Sequence, residues 1–279
     1  MQPSLSGLPD GEDVALPVES SKSSMKQFFF AILLLAGMAP LFASQCKQPL
    51  DEHTLNQLRL GYFDDVQLQP GQTKQFQLAI LSPFAPDKAV PACVRWQVKP
   101  ATESATIDLN GLLSVDAKTP PGSKFNVVAD IENGRAERGA IVFIYSPKTQ
   151  PLVGLWRQTE QYDCGSGERI YAAPIGELVF RASGWFSVTW TPFETYRDYV
   201  GEYSTDAAKQ TLSLKITNGA FVPRIFHGRG TYKLLDDKTL ELRGLYLGSH
   251  DESNHQSGTD AKPGTPACRY LFKLSSRPE

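Results

Sequence analysis

The chain has 279 residues, of which 28 are Lys or Arg, 30 are Asp or Glu and four are Cys, and aromatic residues make up 10%. That near balance of charge excludes a polybasic nucleic-acid binder, whose affinity rests on surplus cations meeting phosphates. The length exceeds what one hydrophobic core usually serves, so two domains are expected.

Residues 1 to 24 (MQPSLSGLPDGEDVALPVESSKSS) are rich in Ser, Pro, Gly and acid and show no apolar period. They read as a disordered leader, or as sequence upstream of a true start at Met25. Residues 25 to 44 carry Lys26, an apolar run from Phe28 to Phe42 interrupted by Pro40, and the small-residue exit Ala43-Ser44. Those are the three regions of a secretory signal. The run falls short of the roughly 20 unbroken apolar residues of a spanning helix. Export to the periplasm or medium is the expectation; a retained membrane anchor and a lipidated Cys46 are the alternatives. Loss of residues 1 to 43 removes Asp10, Glu12, Asp13, Glu19, Lys22 and Lys26, which leaves 26 basic and 26 acidic side chains.

From Gly61 to Ser146 the chain shows short alternating stretches between Pro, Gly, Asn and Asp, which predicts a β-sandwich for the domain 45 to 147. Phe76, Leu78 and Ile80 form one stretch, Val94 and Trp96 begin another, and Phe125, Val127 and Ala129 make a third. Pro70-Gly71, Asn110-Gly111, Pro121-Gly122 and Asn133-Gly134 supply turns. The run Ala140 to Tyr145 is apolar enough to be buried on both faces. On LQPGQTKQFQL, VRWQVKPATESATIDLNGLLSVDA and FNVVADIENGRAERGAIVFIY, residues 60 to 147 resemble bacterial immunoglobulin-like repeat domains. The resemblance implies a spacer or adhesion unit without catalytic residues. Trp96 then packs in the core.

Residues 148 to 151 form a short connector bracketed by Pro147 and Pro151, expected to be stiff. From 152 to 279 the alternation resumes with more aromatic residues. Strands are predicted near 154–162, 168–173, 176–182, 184–190, 196–204, 211–216, 228–234, 239–247 and 268–274. Tight turns between sequential strands suggest an antiparallel meander closed into a barrel of about eight strands. The fold class is thus all-β, a sandwich followed by a barrel.

Parity assigns one face to Leu178, Phe180, Phe186, Val188, Trp190, Tyr199, Tyr203, Leu212, Leu214, Ile216, Tyr232, Leu234, Leu240, Leu242, Tyr270, Phe272 and Leu274. The other carries Glu177, Arg181, Ser187, Thr189, Arg197, Lys215, Arg229, Lys233, Glu241, Arg243 and Lys273. An eight-stranded interior is just filled by side chains or holds one small ligand. On Gly154-Leu155-Trp156, residues 152 to 275 resemble lipocalin-like barrels, in which an arginine of the last strand, here Arg269, often covers that tryptophan. The resemblance implies a cup for a small apolar molecule. Parity, however, sets Arg269 opposite Tyr270.

Four cysteines permit three connectivities, and in an oxidising compartment an even count suggests disulfides. The domain division favours Cys46 with Cys93 and Cys164 with Cys268.

No nucleophile elbow, P-loop, zinc-protease motif, EF-hand loop or dinucleotide fingerprint is present, so no catalytic residue, metal or cofactor is assigned. His250 to His255 lies in a polar stretch that reads as a solvated loop or a lip of the barrel mouth. The densest aromatic segment, Trp190 to Tyr199, suits a ligand mouth or an interface. The candidate ligand-binding residues are Trp190, Phe193, Tyr196, Tyr199, Arg224 and His227. The leading expectation is an exported cell-envelope binding protein whose barrel holds a small apolar molecule or an envelope partner. The alternative is a structural or adhesion module acting through its surface. A hydrolase using Glu194, Asp198 or Glu202 with His227 lacks a defined carboxylate geometry.

Overall fold

The computed structural model describes residues 49–60, 65–81, 88–90, 92–192, 198–249 and 267–278. The proposed signal and Cys46 lie outside these, as do Phe193, Glu194, Tyr196, Arg197, His250 and His255. The first half comprises α1 (Glu52–Gln57), β1 (Leu58–Arg59), β2 (Asp65–Leu68), β3 (Thr73–Gln75), β4 (Ala79–Ile80), β5 (Lys88–Ala89), β6 (Val94–Lys99), β7 (Ala105–Ile107), β8 (Leu112–Val115), β9 (Lys124–Ile131) and β10 (Ala136–Ile144). The second comprises β11 (Gly154–Asp163), β12 (Glu177–Phe180), β13 (Trp185–Thr189), β14 (Tyr199–Asp206), β15 (Thr211–Gly219), β16 (Arg229–Leu234), β17 (Thr239–Arg243) and β18 (Ala267–Ser276).

The described residues are all-β apart from α1, which the strand alternation did not reveal. Its sequence signal is Asp51, whose carboxylate accepts from the Thr54 N–H at 2.8 Å and caps the helix. A four-stranded sheet in the order β2-β10-β9-β6 faces a three-stranded sheet, β3-β8-β7, and a small sheet β1-β4-β5 completes this half. Leu68, Phe125, Val127, Val142 and Ile144 from the larger sheet meet Ala105, Leu113 and Val115 from the smaller in one buried cluster. Strand β2 runs parallel to β10, an arrangement that connects distant segments and that local pattern does not show.

The turn at Asn110-Gly111 explains one glycine. Gly111 has φ +83°, and a Cβ there would sit 2.6 Å from the Phe76 carbonyl oxygen and 2.8 Å from the Trp96 ring. Trp96 therefore packs over a bare backbone, beside Phe76 at 6.4 Å. The run Ala140 to Tyr145 is not buried on both faces: Ala140, Val142 and Ile144 point inward, whereas Ile141 is 41% exposed. Only one face of β10 has a sheet packed on it, so hydrophobicity alone overstated its burial.

Eight strands, β11 to β18 in sequence order, close into an antiparallel barrel. The segment 168–173, expected as a strand, contributes only an isolated bridge between Tyr162 and Arg169. It folds back on β11, with the Ile170 N–H donating to the Gln161 carbonyl at 2.9 Å. Cys164 and Cys268 are disulfide-bonded with Cα atoms 4.9 Å apart, joining the end of β11 to the start of β18. Cys93 is disulfide-bonded too.

The connector is a hydrogen-bonded turn: Thr149 and Gln150 both donate to the Ser146 carbonyl, at 3.1 and 2.8 Å. More contacts than this turn join sandwich and barrel. Arg181, after β12, donates through Nε to Asp65 Oδ2 at 2.8 Å and forms an ion pair with Asp65 Oδ1 at 2.6 Å, and Ser183 Oγ reaches the same carboxylate. The Ala182 N–H donates to the Gln67 side chain. On the far side, the Tyr145 hydroxyl donates to the Pro278 carbonyl at 2.9 Å.

Candidate functional site

Every inward residue that parity assigned lies in the barrel's buried cluster or packs against it. Alternation works here because a closed sheet has one dry and one wet face. The cluster also holds Leu152, Trp156, Ile175, Leu245, Tyr246, Leu247 and Ala267. The run Leu245 to Leu247 is buried at three successive positions, between Gly244 and Gly248, so it follows no strand period.

Rings form a connected column through the interior. Tyr203 meets Phe180 edge-on at 4.9 Å, Phe180 meets Phe186 at 6.5 Å, and Phe186 meets Tyr199 at 6.1 Å. Tyr199 then touches Trp190 at 5.8 Å and Phe226 at 6.0 Å. Such pairs add to the energy of their buried area. A Cβ on Gly201 would meet the Phe186 ring at 2.7 Å and the Lys215 carbonyl oxygen at 2.0 Å, so the glycine makes room for this column.

Buried hydroxyls in the column are spent internally. The Tyr199 hydroxyl donates to the Leu247 carbonyl at 2.7 Å, and the Leu247 N–H donates to the Tyr270 hydroxyl oxygen at 3.2 Å. Tyr199, Tyr270 and Leu247 are fully buried. Burial pushes the Tyr199 phenol well above its ordinary pKa, and the Tyr203 phenol upward as well, so both stay neutral donors. Gln158 and Gln161 also face inward; the Gln158 amide donates to Gln161 and its carbonyl accepts from the Ile175 N–H at 3.0 Å.

Of the candidate ligand residues, Trp190 and Tyr199 therefore stand in the core, 4% and 0% exposed. Arg224 and His227 are exposed, and the His227 ring lies 6.4 Å from Tyr246. Phe193 and Tyr196 fall outside the described residues. Asp198, weighed above as an acid or base, is 3% exposed and accepts from the Trp190 N–H at 2.6 Å, which ties the two ends of that loop together. Glu202 stands apart, exposed on the outer side of β14. Among the described residues, no three His, Cys, Asp or Glu side chains converge as a metal site.

Trp156 is fully buried, and its indole N–H donates to the Leu152 carbonyl at 2.7 Å. Arg269 does not cover it. The Arg269 guanidinium lies over the Tyr162 ring at 4.6 Å and donates to Glu241 at 2.7 Å, because its position in β18 points outward. Arg277 donates to the Val153 carbonyl at 2.7 Å, ahead of β11.

Among the described residues, two outward positions are buried against expectation, Thr189 at 2% and Glu241 at 4%. Glu241 lies between two arginines: Arg243 Nε donates to Oε1 at 2.8 Å and Arg269 Nε to Oε2 at 2.7 Å. The Arg243 hydrogen bond, followed by that from Arg269, holds the carboxyl below its ordinary value. Sequence parity placed Glu241 on the wet face but carried no signal for the clamp.

No protein-family model matches the chain, and no curated protein matches it.

Proposed function

We propose that this is an exported, non-enzymatic cell-envelope protein whose barrel is a filled scaffold and which works through its outer surface. The observation that carries the reading is the pair of interior hydroxyls, Tyr199 donating to the Leu247 carbonyl and Tyr270 accepting from the Leu247 N–H. An apolar ligand in that volume displaces rings that are already close-packed and leaves buried polar groups unpaired. The apolar run from Phe28 to Phe42 and the Cys164–Cys268 bridge support export. The Gly154-Leu155-Trp156 motif on the first barrel strand and the meander order support a place among lipocalin-like barrels; the two facing sheets support an immunoglobulin-like spacer.

A carrier role for a small apolar molecule is the competing reading, favoured by the density of aromatic residues near Trp190. Titration with the fluorescent apolar probe N-phenyl-1-naphthylamine separates the two. A filled barrel gives no saturable enhancement, whereas saturable binding that oleate displaces overturns the proposal.

A further inference from the structure

The outer wall of the barrel is electrically lopsided. On the contiguous strands β16, β17, β18 and β11, the outward positions hold Arg229, Lys233, Arg243, Arg269, Lys273 and Arg157. Cross-strand register sets Arg269 beside Arg243, Lys273 beside Arg157 and Lys233 beside Glu241. The carboxylates among them are Glu160 and Glu241, and the β16–β17 turn adds Asp236, 3.9 Å from Lys273, with Asp237 and Lys238. Seven cations thus face four anions. The opposite wall carries Glu177, Glu202 and Asp206 at outward positions of β12 and β14, against Lys215 beside Glu202 on β15 and Arg181, which is engaged with Asp65.

Two features make the basic wall a presented surface. Glu241 has only 5% of its side chain exposed, whereas those of Arg243 and Arg269 are 60% and 39% exposed, so the carboxylate anchors the guanidinium groups and leaves their outer edges to solvent. Arg269 is further held by the Tyr162 ring, 4.6 Å from its guanidinium carbon. Neighbouring strands are about 4.8 Å apart, so Arg243 with Arg269 and Arg157 with Lys273 form close cross-strand pairs, and the four-residue step from Arg269 to Lys273 sets those pairs roughly 13 Å apart. That spacing is comparable to a Debye length, and the charges act together on one partner.

We infer that this wall docks electrostatically on the anionic headgroups of a membrane surface. A convex wall of extended strands offers no groove to enclose a polymer, but it can rest on a plane of phosphates. The inference gives the surface reading above its partner and rests on it. Both attachment alternatives at the amino end, a retained anchor or a lipidated Cys46, also hold the protein beside a bilayer. Each Lys or Arg near an anionic leaflet contributes about 1 kcal/mol, so neutralising three weakens partition by roughly a hundredfold or more.

The test is sedimentation of the folded chain with vesicles of phosphatidylglycerol and phosphatidylcholine, against phosphatidylcholine alone. Binding to the anionic vesicles alone is expected, falling about a hundredfold in the Arg157→Gln, Lys233→Gln, Lys273→Gln variant. It is expected to persist in a Lys74→Gln, Lys118→Gln, Lys124→Gln variant on the sandwich. If the first triple variant fails to fold, Arg157→Gln with Lys233→Gln serves, with a fall of at least tenfold. No binding to anionic vesicles overturns the inference, as does equal loss in both triple variants. Capture by dextran sulfate without vesicle binding overturns it in favour of an anionic polymer. The naphthylamine titration is unaffected by these outcomes, so failure of the wall and failure of the filled barrel are told apart.

Discussion

Replacing Cys164 and Cys268 together by alanine removes a link between residues 104 positions apart, from the end of β11 to the start of β18. These strands are already antiparallel neighbours, with Asp163 paired to Ala267. The bridge therefore adds little to the folded geometry and acts mainly by restricting the unfolded chain. In the chain-entropy model a loop of that length is worth about 4.7 kcal/mol. Cys164 is exposed and Cys268 half-buried, so little packing is lost with the sulfurs. If the barrel melts alone, roughly 125 residues set the unfolding entropy and Tm falls by about 18 °C; if sandwich and barrel melt together, the fall is about 10 °C. Thermal unfolding of the oxidised protein and the double alanine variant, followed by circular dichroism, measures it. A shift below about 3 °C refutes the reasoning.

Phe272→Ala removes a fully buried ring and costs about 3 to 5 kcal/mol; the cavity it leaves should take up benzene, which the unaltered protein does not, as read by chemical-shift changes. Tyr199→Phe leaves the Leu247 carbonyl without its donor and costs about 1 to 3 kcal/mol in urea unfolding. Gly201→Ala forces a methyl into the Lys215 carbonyl and the Phe186 ring, and should lower the urea midpoint without changing the far-ultraviolet spectrum of the folded protein. Glu241 has a depressed carboxyl pKa, so its stabilisation is complete above the ordinary value of 4.5 and is lost as pH falls through the depressed value. Glu241→Gln should lower stability at pH 7 and flatten the acid limb of the stability profile.

The barrel interior was legible because its sheet is closed. Leu178 with Phe180, Phe186 with Val188, and Tyr270 with Phe272 alternate strictly, and period-2 reading puts each on the dry side. What escaped was aperiodic or distant. Leu245 to Leu247 pack as a run between two glycines, and the segment 168–173 has strand-like residues but makes only a local bridge. The contact of Asp65 with Arg181 joins residues 116 positions apart, and no local pattern announces such a pair. Hydrophobicity likewise marked Ile141 as buried, although the outer face of β10 is not covered there. At the candidate site, aromatic density identified Trp190 and Tyr199, but density is common to a lined pocket and a filled core. The hydrogen bonds at Leu247 bear on which of the two this is, and they arise from residues in three separated strands and loops.

Native mass spectrometry of the protein purified from cells that export it tests the filled barrel most directly. The filled scaffold predicts the bare covalent mass, less two hydrogens for each disulfide, with nothing further released on denaturation. A defined extra mass that survives gentle ionisation and leaves when the chain unfolds contradicts it and makes the barrel a carrier.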